Sequence, residues 1–494
     1  MKLLSILPIA RGLRAEMLTY FSSEDIPLGT IVAIPIRKKT FQGIIIESKD
    51  ALESKSEIKS MDFGIKKIIR HSHETSLPPY LMQGISIIAK DTAASRGAIL
   101  AALIPKAVLE APTLFFQGKV RKEKLEGFDT LAIQSPNSDR MDTYRSIIRE
   151  SFAKKLSIAV IVPTEEDVPD IAAQLSKGIE KYTLALPNAR SKKALQAFVS
   201  GAGSDHPMLL VGTSSMLALM PDNVGTIILE KESSQFWKQR RSPYLDMRQS
   251  ARALASALGA RIIFGDKLLS IETLAKVKEG KTAEYARLSK RNSYKIQTLL
   301  VNMKPEKSDT EEKKEFKVLS PDLEEMIRYS TRQKKKIFIY SARRGISSQT
   351  VCRDCGTTVL CKKCEAPAVL HNRGEENLFI CHHCGASRSA LMQCEKCESW
   401  NLIPLGIGIE RVEEELKKIT SAEIIRLDSD TAKTAKEAQT KIDKFLASRG
   451  GILLGTDLGL RFLPDESVDF AAISSVDSLA SLPDFRTNER VMHT

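Results

Sequence analysis

Eight cysteines form four Cys-x-x-Cys pairs, Cys352/Cys355, Cys361/Cys364, Cys381/Cys384 and Cys394/Cys397, and no other cysteine occurs in the 494 residues. A Cys-x-x-Cys turn aims two thiolates at one tetrahedral ion, so four turns supply two closed four-cysteine sites with no position left for water. The chemistry expected is structural, with two Zn2+ ions. A disulfide framework fits poorly in a long chain with no cysteine outside the cluster. Paired x-x spacing throughout favours zinc over an iron–sulfur centre. His371, His382 and His383 lie inside the cluster, but eight thiolates already fill two sites, so these histidines are expected on the surface. Spacing alone leaves open which pairs share an ion.

A net charge of +13 and a pI near 9.2 favour a polyanionic partner, most simply nucleic acid. The basic residues cluster at Arg37-Lys38-Lys39, Lys66-Lys67 with Arg70, Lys119/Arg121/Lys122/Lys124, Lys238/Arg240/Arg241 and Lys334-Lys335-Lys336. Contacts to a phosphate backbone through such groups weaken steeply with salt. No apolar run reaches the ~18–20 residues that span a bilayer, so no membrane association is expected. The apolar stretch after Met1 is too short for a signal peptide, and reduced thiols suit a cytoplasmic protein.

These groups need elements to position them. Thr30–Pro35 and Gly43–Ile46 are β-branched runs around a basic turn, which predicts a hairpin; Pro79–Leu103 is helical in pattern. From Leu131 onward, short apolar runs at 158–162, 208–211, 226–229 and 261–264 alternate with amphipathic stretches such as Leu245–Leu258, the signature of a parallel α/β sheet. A charged segment near Lys304–Lys314 reads as a linker. A second α/β unit follows, with strands at 336–340, 424–427, 451–455 and 469–473. The cysteine cluster is inserted between its first two strands.

That layout resembles the replication restart DNA helicases of the PriA (primosomal protein N′) family. Ala342-Arg343-Arg344-Gly345 resembles the family's Asn-Arg-Arg-Gly, and the four cysteine pairs follow with the family's spacing. Gly406-Ile407-Gly408-Ile409-Glu410 is similar to Gly-x-Gly-Thr-Glu, and Arg426-Leu427-Asp428-Ser429-Asp430-Thr431 to Arg-x-Asp-x-Asp-Thr. Gly455-Thr456, Val476-Asp477, Asp484-Phe485-Arg486 and Glu489-Arg490 continue the match. The resemblance implies two tandem RecA-like helicase lobes, a double zinc insertion in the second, and a small β-rich N-terminal DNA-binding domain before them. The implied boundaries are 1–105 for that domain, 106–130 for a linker with no room for a winged helix, 131–302 for the first lobe, 303–315 for a linker and 316–494 for the second, with the zinc insertion at 350–400. It also implies that Cys352, Cys355, Cys394 and Cys397 hold one zinc and Cys361, Cys364, Cys381 and Cys384 the other. DNA contacts carry over to Tyr20 as a base platform, with a ring packed in a hairpin core as the other reading, to Arg37 where the family has glycine, to Lys66 at a phosphate, and to Arg343 and Arg344.

The motor chemistry does not carry over. A phosphate cradle needs glycines, a lysine and a Ser/Thr for Mg2+. The matching stretch is Gln134-Ser135-Pro136-Asn137-Ser138-Asp139-Arg140-Met141, which has no glycine to reach positive φ, and its Pro136 removes an N–H donor. Arg140 keeps a positive charge where lysine belongs. The Asp-Glu-x-His box reads Glu230-Lys231-Glu232-Ser233, with a cation at the catalytic carboxylate. Gly-Ser-Ala-Thr-Pro has become Gly265-Asp266-Lys267-Leu268-Leu269, and Thr494 is reached before an arginine-finger segment. The expectation is a pseudo-helicase with a lost ATPase site that binds forks, branched DNA and 3′ ends, and that meets single-strand DNA-binding protein and primosome proteins. An active ATP-dependent 3′–5′ helicase, using ATP and Mg2+, is one alternative. A zinc-stabilised protein-interaction module is another.

Overall fold

The computed structural model describes residues 1–13, 15–51, 64–111, 129–204, 206–286, 297–303, 317–341, 349–373, 376–381, 384–390, 392–405, 409–464, 467–476, 479 and 486–493. The chain forms two compact units, Met1–Tyr294 and Lys295–Thr494.

The first unit opens with a sheet of β1 (Lys2–Ile9), β2 (Leu18–Ser22), β3 (Thr30–Ile36), β4 (Lys39–Asp50), β5 (Lys66–Lys67) and β6 (Arg70–Ser76), in the order β5-β2-β1-β4-β3-β6. The predicted hairpin is β3–β4, paired from Ile31↔Ile44 to Ile36↔Lys39. A short segment closes the sheet into a barrel. Ile68 N–H donates to Phe21 O (3.2 Å) and Ile69 N–H to Ala33 O (2.8 Å), so the chain leaving β5 is bonded to β2 and then to β3. Leu4, Ile6, Tyr20, Val32, Ile34 and Ile45 fill the interior.

The helical stretch after the barrel divides into α1 (Pro79–Asp91), α2 (Arg96–Leu103) and the short α3 (Lys106–Glu110). The break falls at Ser95, whose side chain accepts from Ala98 N–H and starts a new helix. The apolar faces of α1 and α2 do not belong to the barrel alone. One buried cluster runs from Leu7 and Ile44 through Leu81, Ile85 and Ile99 to Leu217, Leu229 and Leu254. Within it Tyr80 hydroxyl donates to Leu217 O and accepts from Met220 N–H, both at 3.1 Å. Barrel and lobe therefore share one buried cluster beside their own interiors.

The lobe is a parallel sheet of β7 (Thr130–Gln134), β8 (Ser157–Val162), β9 (Thr183–Leu186), β10 (Leu209–Thr213), β11 (Val224–Glu230), β12 (Arg261–Asp266) and β13 (Ala283–Glu284), ordered β13-β7-β12-β11-β8-β10-β9. Every residue of β8 and β11 is buried, as strands covered on both faces must be. On one face lie α4 (Asn137–Ala153) and α5 (Asp167–Leu175), through Tyr144, Ile147 and Val168. On the other lies α7 (Met247–Leu258), after α6 (Lys192–Ala202) in the chain. Asp246 caps α7 and Gly259, at φ 72°, ends it. Ser270 caps α8 (Ile271–Lys278).

The second unit has a parallel sheet of β14 (Lys336–Tyr340), β20 (Ile424–Leu427), β21 (Gly451–Gly455) and β22 (Phe470–Ile473), ordered β20-β21-β14-β22. Its faces are covered by α9 (Pro321–Arg332), α10 (Ile409–Ile419), α11 (Ala435–Ala447) and α12 (Asp457–Phe462), and α13 (Thr487–His493) follows. The cysteine module sits between β14 and β20 in the chain. It is built on a ladder of β15 (Gln349–Cys352) with β19 (Leu402–Leu405) and on the meander β16 (Val369–Arg373), β17 (Glu376–Ile380) and β18 (Ser387–Ser389). No helix among the described residues is long and apolar enough to cross a membrane.

Candidate functional site

Closure of the barrel gathers two basic clusters that lie about thirty residues apart in the chain. Lys66 is in register with Tyr20 across β5 and β2, and Tyr20 hydroxyl donates to Pro35 O (3.0 Å) at the end of β3. Arg37, Lys38 and Lys39 follow at the β3–β4 turn, all exposed, as are Lys66 and Lys67. Arg37 has φ 54°, so the residue that stands where the family has glycine adopts the left-handed backbone that glycine enters most cheaply. Of the two readings of Tyr20, base platform or packed core ring, its placement fits the second. Its ring is 5% exposed and packs in the barrel interior, whereas base stacking needs an open ring face. Burial also raises its pKa. Lys238, Arg240 and Arg241 are exposed. In the second unit Lys335 pairs with Asp469 (2.9 Å) and Lys336 donates to Leu446 O, so two of the three lysines at 334–336 are occupied by their own fold. The basic run at 119–124 and Arg343 and Arg344 lie outside the described residues.

The ends of β7, β11 and β12 bring together Arg140, Glu230 and Asp266. At Arg140 the guanidinium is buried and forks onto Glu230, with Nη2 to Oε1 at 2.6 Å and Nε to Oε2 at 2.9 Å. Further donors of Arg140 reach Ser135 O (2.6 Å) and Asn137 Oδ1 (3.2 Å). Glu230 has 0% exposure, and its Oε2 also accepts from Tyr144 hydroxyl (2.8 Å). Tyr144 reaches it across the backbone of Gly265, where a Cβ would stand 1.6 Å from the hydroxyl. Burial alone would lower the pKa of Arg140, but the adjoining Glu230 carboxylate outweighs it and the net shift is upward. Burial, then the Glu230 charge, raises Tyr144. The same two causes raise Asp266, although its Oδ2 accepts from Ser233 N–H and hydroxyl.

The rest of the box is committed as well. Lys231, at φ 56°, places its ammonium 2.6 Å from Asp167. Glu232 is 1% exposed and accepts from Ser270 N–H (2.8 Å), Ser270 hydroxyl (2.7 Å), Thr273 hydroxyl (2.7 Å) and Arg248 (3.1 Å). The Arg140 and Glu230 charges thus neutralise each other. Sequence reasoning placed Arg140 and Glu230 but not their contact. Gly265 stood out only as the start of an altered motif, and Tyr144 and Arg248 were not singled out as site residues.

Each cysteine pair makes the same knuckle. The first cysteine of each pair accepts at its carbonyl from the residue four on (Gly356, Glu365, Gly385 and Glu398), and its own N–H donates to the residue five on. Those four residues all have positive φ, between 57° and 73°. The knuckles group as Cys352, Cys355, Cys394, Cys397 and as Cys361, Cys364, Cys381, Cys384, with the four sulfurs of each group within 4.8 Å of one another. The shortest separations are 3.4–3.7 Å. That is far beyond a disulfide at ~2.05 Å, and close to the edge of about 3.8 Å for a tetrahedron with metal–sulfur bonds of ~2.3 Å. The donor set therefore fits two metal ions, with thiolate chemistry that suits zinc. Hydrogen bonds, from Thr357 to Cys355 and from Lys363 and Cys364 N–H to Cys361, bring these thiols down to about 6. His371 lies on β16; His382 and His383 fall outside the described residues.

In the second lobe Arg426 is held by Glu410 (2.9 Å), Glu413 (3.2 Å) and Asp428, and Asp428 Oδ1 accepts from Thr431 N–H (2.9 Å). The Arg-x-Asp-x-Asp-Thr-like string is a folded turn pinned to α10. Thr456 caps α12.

Residues 6–105 match the family profile described as 3′DNA-binding domain (3′BD) of PriA. The chain is 29% identical over 361 residues to the replication restart protein PriA of Haemophilus influenzae, covering 72% of this chain and 48% of that protein. It is 28% identical to that of Bacillus subtilis, covering 72% and 43%, and 24% identical to that of Helicobacter pylori, covering 96% and 74%. The chain spans about half the length of the first curated relatives it matches. Among solved structures, Saccharomyces cerevisiae Dbp5 bound to RNA and ADP BeF3 aligns over 81% of this chain and 80% of its own, at 11% identity and a TM-score of 0.35.

Proposed function

We propose, for a chain that belongs to the PriA family of replication restart proteins, that it binds forked or branched DNA and serves as a platform without turning over ATP. The observation that carries this is the buried Arg140–Glu230 pair. Phosphoryl transfer needs a free cation at the β/γ oxygens, a carboxylate on Mg2+ and a second carboxylate to polarise water. In this lobe the first two are spent on each other, and Lys231 stands at the third, bound to Asp167. Tight association with phosphates would have to break a bidentate ion pair in a dry site, which costs several kcal/mol.

DNA would meet the basic rim of the barrel, with Arg37 and Lys66 at backbone phosphates and Tyr20 bracing the rim from inside. The domain division expected from the sequence stands as part of this reading, with the barrel acting as the 3′-end-binding domain. So do two zinc ions in the cysteine module, a cytoplasmic setting, and encounters with single-strand DNA-binding and primosome proteins. ATP and Mg2+ enter only if the motor reading holds.

ATP turnover with and without forked DNA, together with calorimetry of nucleotide binding, tests the proposal. Expected are no turnover and no nucleotide binding, with fork affinity that falls steeply as salt rises. DNA-stimulated turnover would overturn the reading in favour of a helicase with an unusual site. Fork binding that is absent, or indifferent to salt, would favour a protein-interaction module.

A further inference from the structure

We propose that Glu230 and Glu232 act as an internal brace in place of nucleotide and metal, holding the first lobe in one state whatever nucleotide is present. The inference rests on the reading of that site as closed to ATP. In a nucleotide-dependent lobe the junction between its first strand and first helix is ordered by phosphate oxygens, which supply counter-charge and acceptors for the loop. Here the junction is Ser135-Pro136, between β7 and α4. Nothing local ends the helix, since Pro136 stands at the N-cap position without a side-chain cap. Arg140 supplies the missing order from inside. It donates to Ser135 O on the junction, to Asn137 on the first turn, and to Glu230 on β11. The charge that balances it belongs to the protein itself.

Two residues on, Glu232 does the same for the other side of the lobe. It joins β11 to Arg248 on α7 and to Ser270 and Thr273 at the start of α8. In an extended strand, residues two apart face the same way, and both carboxylates would then compete for one set of partners. The left-handed backbone of Lys231 breaks that alternation, so one carboxylate serves α4 and its neighbour serves α7 and α8. Helix α7 in turn packs on α1 through the core that barrel and lobe share. A lobe braced in this way presents its barrel at a constant angle, and nucleotide has no state to select.

Hydrogen–deuterium exchange of the full chain, read by mass spectrometry over residues 134–144, separates this from the reading it rests on. Glu230→Gln keeps shape and removes charge, while Arg140→Lys keeps charge and loses the fork. Each is expected to raise exchange over 134–144 at least about tenfold, leaving the zinc module unchanged. Millimolar Mg-ATP is expected to change nothing in the unsubstituted protein. Exchange within about twofold of the unsubstituted protein in both variants, with no effect of ATP, would overturn the brace alone. Protection of 134–144 by Mg-ATP in the unsubstituted protein would overturn the closed-site reading itself. Should Glu230→Gln fail to fold, the milder Arg140→Lys carries the same comparison.

Discussion

Tyr144 shows how one side chain can be required by a residue far along the chain. Its ring is fully buried, and its hydroxyl reaches Glu230 only because Gly265 has no side chain. Gly265→Ala is therefore expected to cost about 1–3 kcal/mol by overpacking, measured by chemical denaturation. Tyr144→Phe removes one hydrogen bond and is expected to cost about 1–2 kcal/mol, since Glu230 Oε2 keeps its bond from Arg140. The two changes destroy the same contact, so their costs should combine to less than their sum. Full additivity would show that Tyr144 and Gly265 do not meet as described. The residues that carry this cluster were only half legible in the sequence. Arg140 and Glu230 stand out as replacements in known motifs, but they lie ninety residues apart, and only the adjacency of β7, β12 and β11 makes them partners.

At the scale of the element, the cysteine module is the part most completely encoded in local sequence. A Cys-x-x-Cys knuckle is a single turn, and four of them need no distant information to form. Which knuckles share a metal is different, because it depends on the β15–β19 ladder and the β16–β18 meander that carry them. Cys361→Ala is expected to release one of two bound metal ions, measured by elemental analysis of the purified protein, and to loosen the module, since ligation and folding are coupled there. Retention of both ions would sink the two-site grouping. The barrel gives the opposite lesson. Its hairpin was readable from β-branched runs, yet whether Tyr20 is buried or exposed stayed open, because strand register decides which face of β2 looks inward.

Across the whole molecule, charge sets how the protein should respond to acid. Burial alone would raise the carboxyls of Asp246, Glu413 and Asp428, but Arg248 beside Asp246, Lys417 and then Arg426 beside Glu413, and Arg426 beside Asp428 carry them below their ordinary values. A depressed carboxyl contributes stability that is present above its unfolded pKa, about 4, and is lost as pH falls through the folded value. Both units carry such pairs, so both should lose thermal stability below about pH 4. Asp266 has the opposite sign: burial raises it, so its contribution is present at low pH and is lost as pH rises through its folded value. Metal binding needs deprotonated thiols, so acid also strips the ions from the cysteine module, whose buried cluster is separate from those of the two sheets. Metal release should therefore be separable from loss of the two sheets in an acid titration followed by metal indicator and circular dichroism. Simultaneous loss would mean that the module does not titrate as a separate part.

The amino-acid order by itself determined the features that rest on near neighbours. These are the four metal-binding turns, the buried parallel strands of two α/β lobes, the basic balance, and the absence of glycines where a phosphate cradle would need them. Each depends on backbone geometry or solvation within a few residues. Tertiary structure alone decided the pairings. It brought Lys66 beside Tyr20, gave barrel and lobe a shared buried cluster, and set Arg140 against Glu230. Those contacts follow from strand order and register, which sum many weak preferences over the whole chain, so no short stretch of sequence contains them.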